Sequence, residues 1–165
     1  MRTVGWEPVM SDPAVGLGFD VHAFSADRPL WLGGLLFDGE PGLAGHSDGD
    51  VVCHAIADAL LGAVALGDVG EHFPDTDSRA EGMSGGDLLG RTLRILTERG
   101  RAAVSVDVTI VCERPAIAPR RLEIREELAR ITGLPVDRVS VKATRPEGLG
   151  LTGEGVGCLA LAVVA

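Results

Sequence analysis

Lysine is nearly missing from this sequence: Lys142 is the only one, and the remaining basic residues are arginines scattered along the chain. With 24 acidic residues against 15 basic ones the net charge is −9, which argues against a nucleic acid or an anionic membrane as partner. Tyrosine is absent and aromatic residues make up 4% of the chain, so no platform for stacking bases is expected. The three cysteines, Cys53, Cys112 and Cys158, are odd in number and widely spaced. They suggest neither a CxxC pair nor a disulfide framework, which fits a reducing, cytoplasmic compartment. No apolar run reaches the ~18 residues of a membrane span. The opening MRTVGWEPVMSD also lacks the continuous apolar region of a signal peptide. An acidic protein of this kind can still bind a phosphorylated small molecule, but metal ions or backbone N–H groups must then supply the attraction.

The 45% hydrophobic content describes a folded chain, and 165 residues suffice for one domain with a real core. Residues 1–14 read as a loose extension and 15–165 as a single domain. Glycine, at 23 residues, is about twice its usual ~7% share. Alternation predicts a strand over 15–21 and another over 30–37, interrupted by Gly33-Gly34. A helix is predicted over 47–66, capped by Ser47 or Asp48. GDVGEHFPDTD (67–77) is turn chemistry. A second helix follows over 86–99, then a strand over 104–110. A third helix starts at Pro119 and ends before Gly133, then come a strand over 139–144, a glycine-rich loop over 148–157 and a last strand from Cys158. The order β-β-α-α-β-α-β-β implies an α+β fold with helices on one sheet face. The last strand is apolar on both faces, which suggests an oligomer.

The stretch GLGFDVHAF (16–24) sets Asp20 and His22 two positions apart, so both side chains leave a strand on the same side. Such a pair is compatible with an exposed strand face. His54, among Val, Cys, Ala and Ile on the first helix, is compatible with a core histidine. Together, however, Asp20, His22 and His54 supply one carboxylate and two imidazoles, and three protein ligands are the pattern of an open, catalytic zinc site. Asp50 and Asp58 lie one turn either side of His54 and are candidates to orient it. The metal would hold the phosphate that lysine does not.

GLGFDVHAF, AGHSDGDVVCHAIADALLGA, LGDVGEHFPDTD and VKATRPEGLGLTGEGVG together resemble, in the same order, the motifs of the 2-C-methyl-D-erythritol 2,4-cyclodiphosphate synthase family. The resemblance runs from about Val15 to the C-terminus. It implies a ferredoxin-like, chorismate-mutase-like α+β sheet and a homotrimer with active sites between subunits. The family's substrate is a CDP-linked methylerythritol 2-phosphate, which is cyclised with loss of CMP in non-mevalonate isoprenoid biosynthesis. By motif, Asp20, His22 and His54 would hold one Zn²⁺ per subunit, and Glu147 a second cation, Mg²⁺ or Mn²⁺. His46 would help stabilise the transition state, with Ser47 beside it on the attacking phosphate. Asp68, Val69, Gly70, Phe73, Pro74, Asp75, Thr76 and Asp77 would line the polyol pocket. Cys112, Ala116, Ala118 and Thr144 would face the cytidine and its phosphates, and Leu151 and Glu154 join the substrate-contacting set.

The sequence departs from the family on one side of the site. Ala116 stands where a lysine is usual, and Arg145-Pro146 replace threonines, the first of which helps stabilise the transition state. GEGVG at 153–157 carries Glu154 and Val156 in place of Arg and Glu. Arg145 restores one positive charge that could grip phosphate bidentately, whereas Pro146 removes a backbone donor. Glu154 repeated around a trimer axis would repel an anionic isoprenoid. Two other readings stay open: a paralogue with the same zinc site acting on another CDP-linked or phosphorylated polyol, and a non-catalytic trimer that binds metal and nucleotide.

Overall fold

The computed structural model describes residues 12–74, 76, 82–150 and 154–165. Five strands form one sheet in the order β2-β1-β5-β3-β4. They are β1 (Ala14–Leu32), β2 (Leu35–Leu43), β3 (Ala103–Val111), β4 (Val139–Thr144) and β5 (Gly155–Val164). All neighbours are antiparallel except β3 and β4. The helices are α1 (Val51–Ala63), α2 (Val69–His72), α3 (Gly85–Glu98) and α4 (Arg121–Thr132).

The predicted order holds with one addition and several shifted ends. The first strand does not stop near residue 21: β1 continues to Leu32, and Gly33-Gly34 form the two-residue turn into β2 rather than an interruption. Both glycines have positive φ (62° and 79°), which a tight hairpin turn demands. The long reach was hidden because the 25–29 stretch is out of register with β2 and shows no alternation. α1 starts at Val51, not Ser47, and its cap is Asp50. α2 is the addition, a single turn within the segment read as turn chemistry, capped by Asp68. β5 begins three residues earlier than expected. A β-carbon at Gly155 would stand 2.1 Å from the His22 carbonyl oxygen, so glycine is what permits this close pairing.

The two faces of β1 differ sharply. Val15, Leu17, Phe19 and Val21 point to the open face, with Val15 and Leu17 each 64% exposed. Gly16 and Gly18 point to the other face, under α1. There a β-carbon would lie 1.9 Å and 2.0 Å from the carbonyl oxygens of Ala59 and Ala55. The helix therefore rests on bare backbone, and its buried Ile56, Leu60 and Leu61 join Val108, Ile110, Ala160 and Ala162 in the core.

Candidate metal centre and neighbouring pockets

Asp20 and His22 continue the face of β1 that begins with Gly16 and Gly18. Because Ala55 sits on Gly18, the preceding residue, His54, arrives beside Asp20. Asp20 Oδ2 lies 3.0 Å from His54 Nδ1 and 3.2 Å from His22 Nε2. Ligand atoms of all three fall within 4.8 Å of one another, the one such group among the described residues. Burial alone would raise the Asp20 carboxyl, yet the hydrogen bonds from His22 and His54 hold it well below the usual carboxylate range. Burial pushes His54 down, but its bond to Asp20 and the nearby carboxylates leave it above the ordinary imidazole value. The far side of the His54 ring is fixed as well: Nε2 is 3.1 Å from Ser47 Oγ, which also accepts from the Gly49 N–H. With Nδ1 facing Asp20, that contact sets which ring nitrogen remains for a metal.

Neither the Asp50 nor the Asp58 carboxylate orients the His54 ring by a hydrogen bond. Asp50 is fully buried, and its oxygens accept the N–H groups of Gly33, Gly34, Val52 and Cys53. It thus ties the β1–β2 turn to the start of α1. Asp58 accepts from the Val69 N–H at 2.8 Å and anchors α2 on α1. Its carboxyl is raised by burial.

A cavity of about 190 Å³ opens beside the triad and is lined by His22, His46, Ser47, His54, Val69, Gly70 and Phe73, among others. A second, of about 180 Å³, lies at the β3–α4 connection and the end of β4. Cys112, Ala116, Ala118, Thr144 and Arg145 line it, together with Arg121. The Cys112 thiol is pushed up to about 11 by burial, so it serves as an apolar wall and not as a nucleophile.

The YgbB family model matches residues 14–165. The chain belongs to the YgbB family. This YgbB-family chain is 50% identical over 150 residues to the 2-C-methyl-D-erythritol 2,4-cyclodiphosphate synthase of Trichlorobacter lovleyi, covering 91% of this chain and 96% of the relative. It is also 50% identical to the Syntrophobacter fumaroxidans enzyme of the same name, covering 91% and 94%. A bifunctional enzyme IspD/IspF of Caulobacter vibrioides is 48% identical over 151 residues, and the chain spans 40% of its length. Among solved structures, a 2C-methyl-D-erythritol-2,4-cyclodiphosphate synthase in a CDP-bound form superposes with a TM-score of 0.85 at 35% identity, covering 92% of this chain and 99% of that one.

Within this YgbB-family fold, twelve of the residues expected from sequence gather in two pockets. The first pocket gathers His22, His46, Ser47, His54, Val69, Gly70 and Phe73; the second gathers Cys112, Ala116, Ala118, Thr144 and Arg145. Asp68 is occupied as the α2 cap, accepting from the Glu71 N–H. Pro74, Thr76, Glu147 and Glu154 line neither of these two cavities. Asp75, Asp77 and Leu151 lie outside the described residues. Arg121 was missed. Its signal was a local oddity: Arg120 and Arg121 stand at the start of a helix, where the macrodipole disfavours positive charge.

Proposed function

We propose that this chain is a 2-C-methyl-D-erythritol 2,4-cyclodiphosphate synthase. It closes 4-diphosphocytidyl-2-C-methyl-D-erythritol 2-phosphate into the cyclic diphosphate and releases CMP, a phosphorus–oxygen lyase step of non-mevalonate isoprenoid biosynthesis. The near-50% identity to synthases over almost their whole length supports this. The observation that carries it is the Asp20–His22–His54 triad opening onto the pocket that holds His46 and Ser47.

An oxygen of the substrate's 2-phosphate forms the new bond to the β-phosphorus while the bond to the α-phosphate breaks, and CMP leaves. The substrate brings its own nucleophile, so the protein's task is positioning and charge neutralisation. Asp20 Oδ2, His22 Nε2 and His54 Nδ1 form an O,N,N donor set that fits zinc with one position open. A zinc ion held there supplies positive charge to a phosphate oxygen. His46 and Ser47 sit at the same cavity as hydrogen-bonding groups for the attacking phosphate, and Val69, Gly70 and Phe73 wall the polyol. Glu147 is assigned to a second cation, Mg²⁺ or Mn²⁺. Cys112, Ala116, Ala118, Thr144 and Arg145 take the cytidine and its phosphates.

The assembly we infer is a homotrimer of ferredoxin-like subunits with sites at their boundaries, acting in the cytoplasm without nucleic-acid or membrane partners. The open face of β1 and β5, where Phe19, Leu159 and Leu161 stay exposed, supports self-association. The described residues contain no helix long and apolar enough to cross a membrane. A second reading, a paralogue acting on another CDP-linked polyol phosphate, is favoured by the nucleotide pocket, where Ala116 and Arg145 replace the family's Lys and Thr.

The test is CMP release from the family substrate with Zn²⁺ and Mg²⁺ present, beside His54→Ala. Metal-dependent release with cyclic product, lost in the variant, establishes the synthase. No release from a folded, zinc-loaded protein, with turnover of a different CDP-linked polyol phosphate, establishes the paralogue.

A further inference from the structure

The geometry points to Arg28 as a positioning residue that holds the Gly45-His46-Ser47 segment against the metal triad. Its guanidinium donates through one nitrogen to the Gly45 carbonyl and through the other to the Ser47 carbonyl, bracketing His46 from both sides. A planar fork with two parallel donors suits such a double contact, and an ammonium does not.

Three further observations show that the arrangement is built. First, Arg28 lies in a bulge. Between the pairs Ser25–Gly42 and Pro29–Pro41 the β1 strand advances four residues while β2 advances one. Bulges next to active sites re-aim side chains, and this one turns Arg28 toward the loop that follows β2. Second, Gly42 accommodates the bulge: a β-carbon there would lie 2.5 Å from the Arg28 carbonyl oxygen and 2.4 Å from that of Pro29. Third, the clamped segment touches both histidine ligands. A β-carbon at Gly45 would stand 3.3 Å from His22 Cε1, and Ser47 Oγ meets His54 Nε2 at 3.1 Å. His46, between them, faces the shared cavity. Arg28 does not line that cavity; it acts through the loop backbone.

The role in turnover rests on the synthase reading above, and the experiment separates the two. Arg28→Ala and Arg28→Gln are compared with the wild-type, zinc-loaded protein for kcat, for KM and for hydrogen–deuterium exchange over residues 44–49. The expected pattern is a kcat lower by ten- to a hundredfold, a KM within threefold and faster exchange confined to 44–49. Added methylguanidine should restore part of the Arg28→Ala rate. Arg28→Lys covers the case in which the shorter variants fail to fold; it keeps the charge and is expected to stay slow. A kcat within twofold of wild type, a change in KM alone, or unchanged exchange over 44–49 overturns the assignment. If the wild-type protein turns over no substrate, the synthase reading fails, and the exchange comparison still decides whether Arg28 holds the loop.

Discussion

The carbonyl oxygen of Ala55 rests against the α-carbon of Gly18, so closely that a β-carbon on Gly18 would stand 2.0 Å away. One methyl group must therefore lift α1, and His54 travels with it. Gly18→Ala is expected to destabilise the fold by about 3 kcal/mol, the upper part of the usual overpacking range. Bound zinc should fall below one per chain. Urea denaturation read by circular dichroism, with metal analysis of the folded fraction, checks both.

Asp50 joins two elements through four backbone donors, all within 3.1 Å of its carboxylate. Removing the acceptor strands buried N–H groups, each costing about 1–3 kcal/mol. Asp50→Ala should therefore cost about 3 kcal/mol or more, while Asp50→Asn keeps the shape and loses less. The ordering of the two variants in thermal unfolding is the decisive reading.

Proton competition at His54 gives the metal site a pH dependence. Its pKa is raised in the metal-free protein, and metal requires the neutral ring. Zinc affinity should be flat at high pH and fall about tenfold per unit once pH drops below that raised value, with the bend above the ordinary 6.5. Asp20, held low, stays ionised across this range. Folding of the metal-free protein runs the opposite way. The His54 contribution is complete below the unfolded-state pKa and is lost as pH rises through the folded-state value. Chelator competition between pH 5.5 and 8.5 measures the first effect, and urea midpoints of the metal-free form the second.

Arg121 and Arg145 line one pocket from different elements, α4 and the end of β4. Arg121→Ala and Arg145→Ala should each weaken CDP binding by about ten- to a hundredfold, in line with the ~1.5–3 kcal/mol of hydrogen bonds to charged groups. Binding of cytidine itself should change little, because it carries no phosphate. Calorimetric titration of the two ligands separates phosphate recognition from base recognition.

Phe19 and Leu159 pair across β1 and β5 on the open face. Phe19→Glu with Leu161→Arg is expected to convert the proposed trimer into monomers, read by light scattering, with the subunit fold retained in circular dichroism.

The clustering of Asp20, His22 and His54 was legible in sequence because a strand period of two and a helix face are local rules, and both hold at these residues. The true cap of α1 was not, since Ser47, Asp48 and Asp50 are all good caps and only the distant Gly33 and Gly34 amides decide in favour of Asp50. Similarly, nothing within 25–29 announces a strand, because its conformation is set by Gly42 and by the loop that Arg28 grips. The second pocket, at the β3–α4 connection, was legible only as motif positions. Arg121 belongs to no motif, and α4 brings it there.

The place of β1 in the sheet sets a timetable for synthesis. Its Ala14–Ala23 segment pairs with β5, so that Asp20 meets Cys158 and His22 meets Val156, partners translated long after β1 itself. Until they emerge, the middle of β1, with Asp20 and His22 on it, has an unpaired edge. The contacts that close it span nearly the whole chain and so form late and slowly. The cluster of Asp20, His22 and His54 is therefore braced only once β5 has joined the sheet, which places its assembly late in folding.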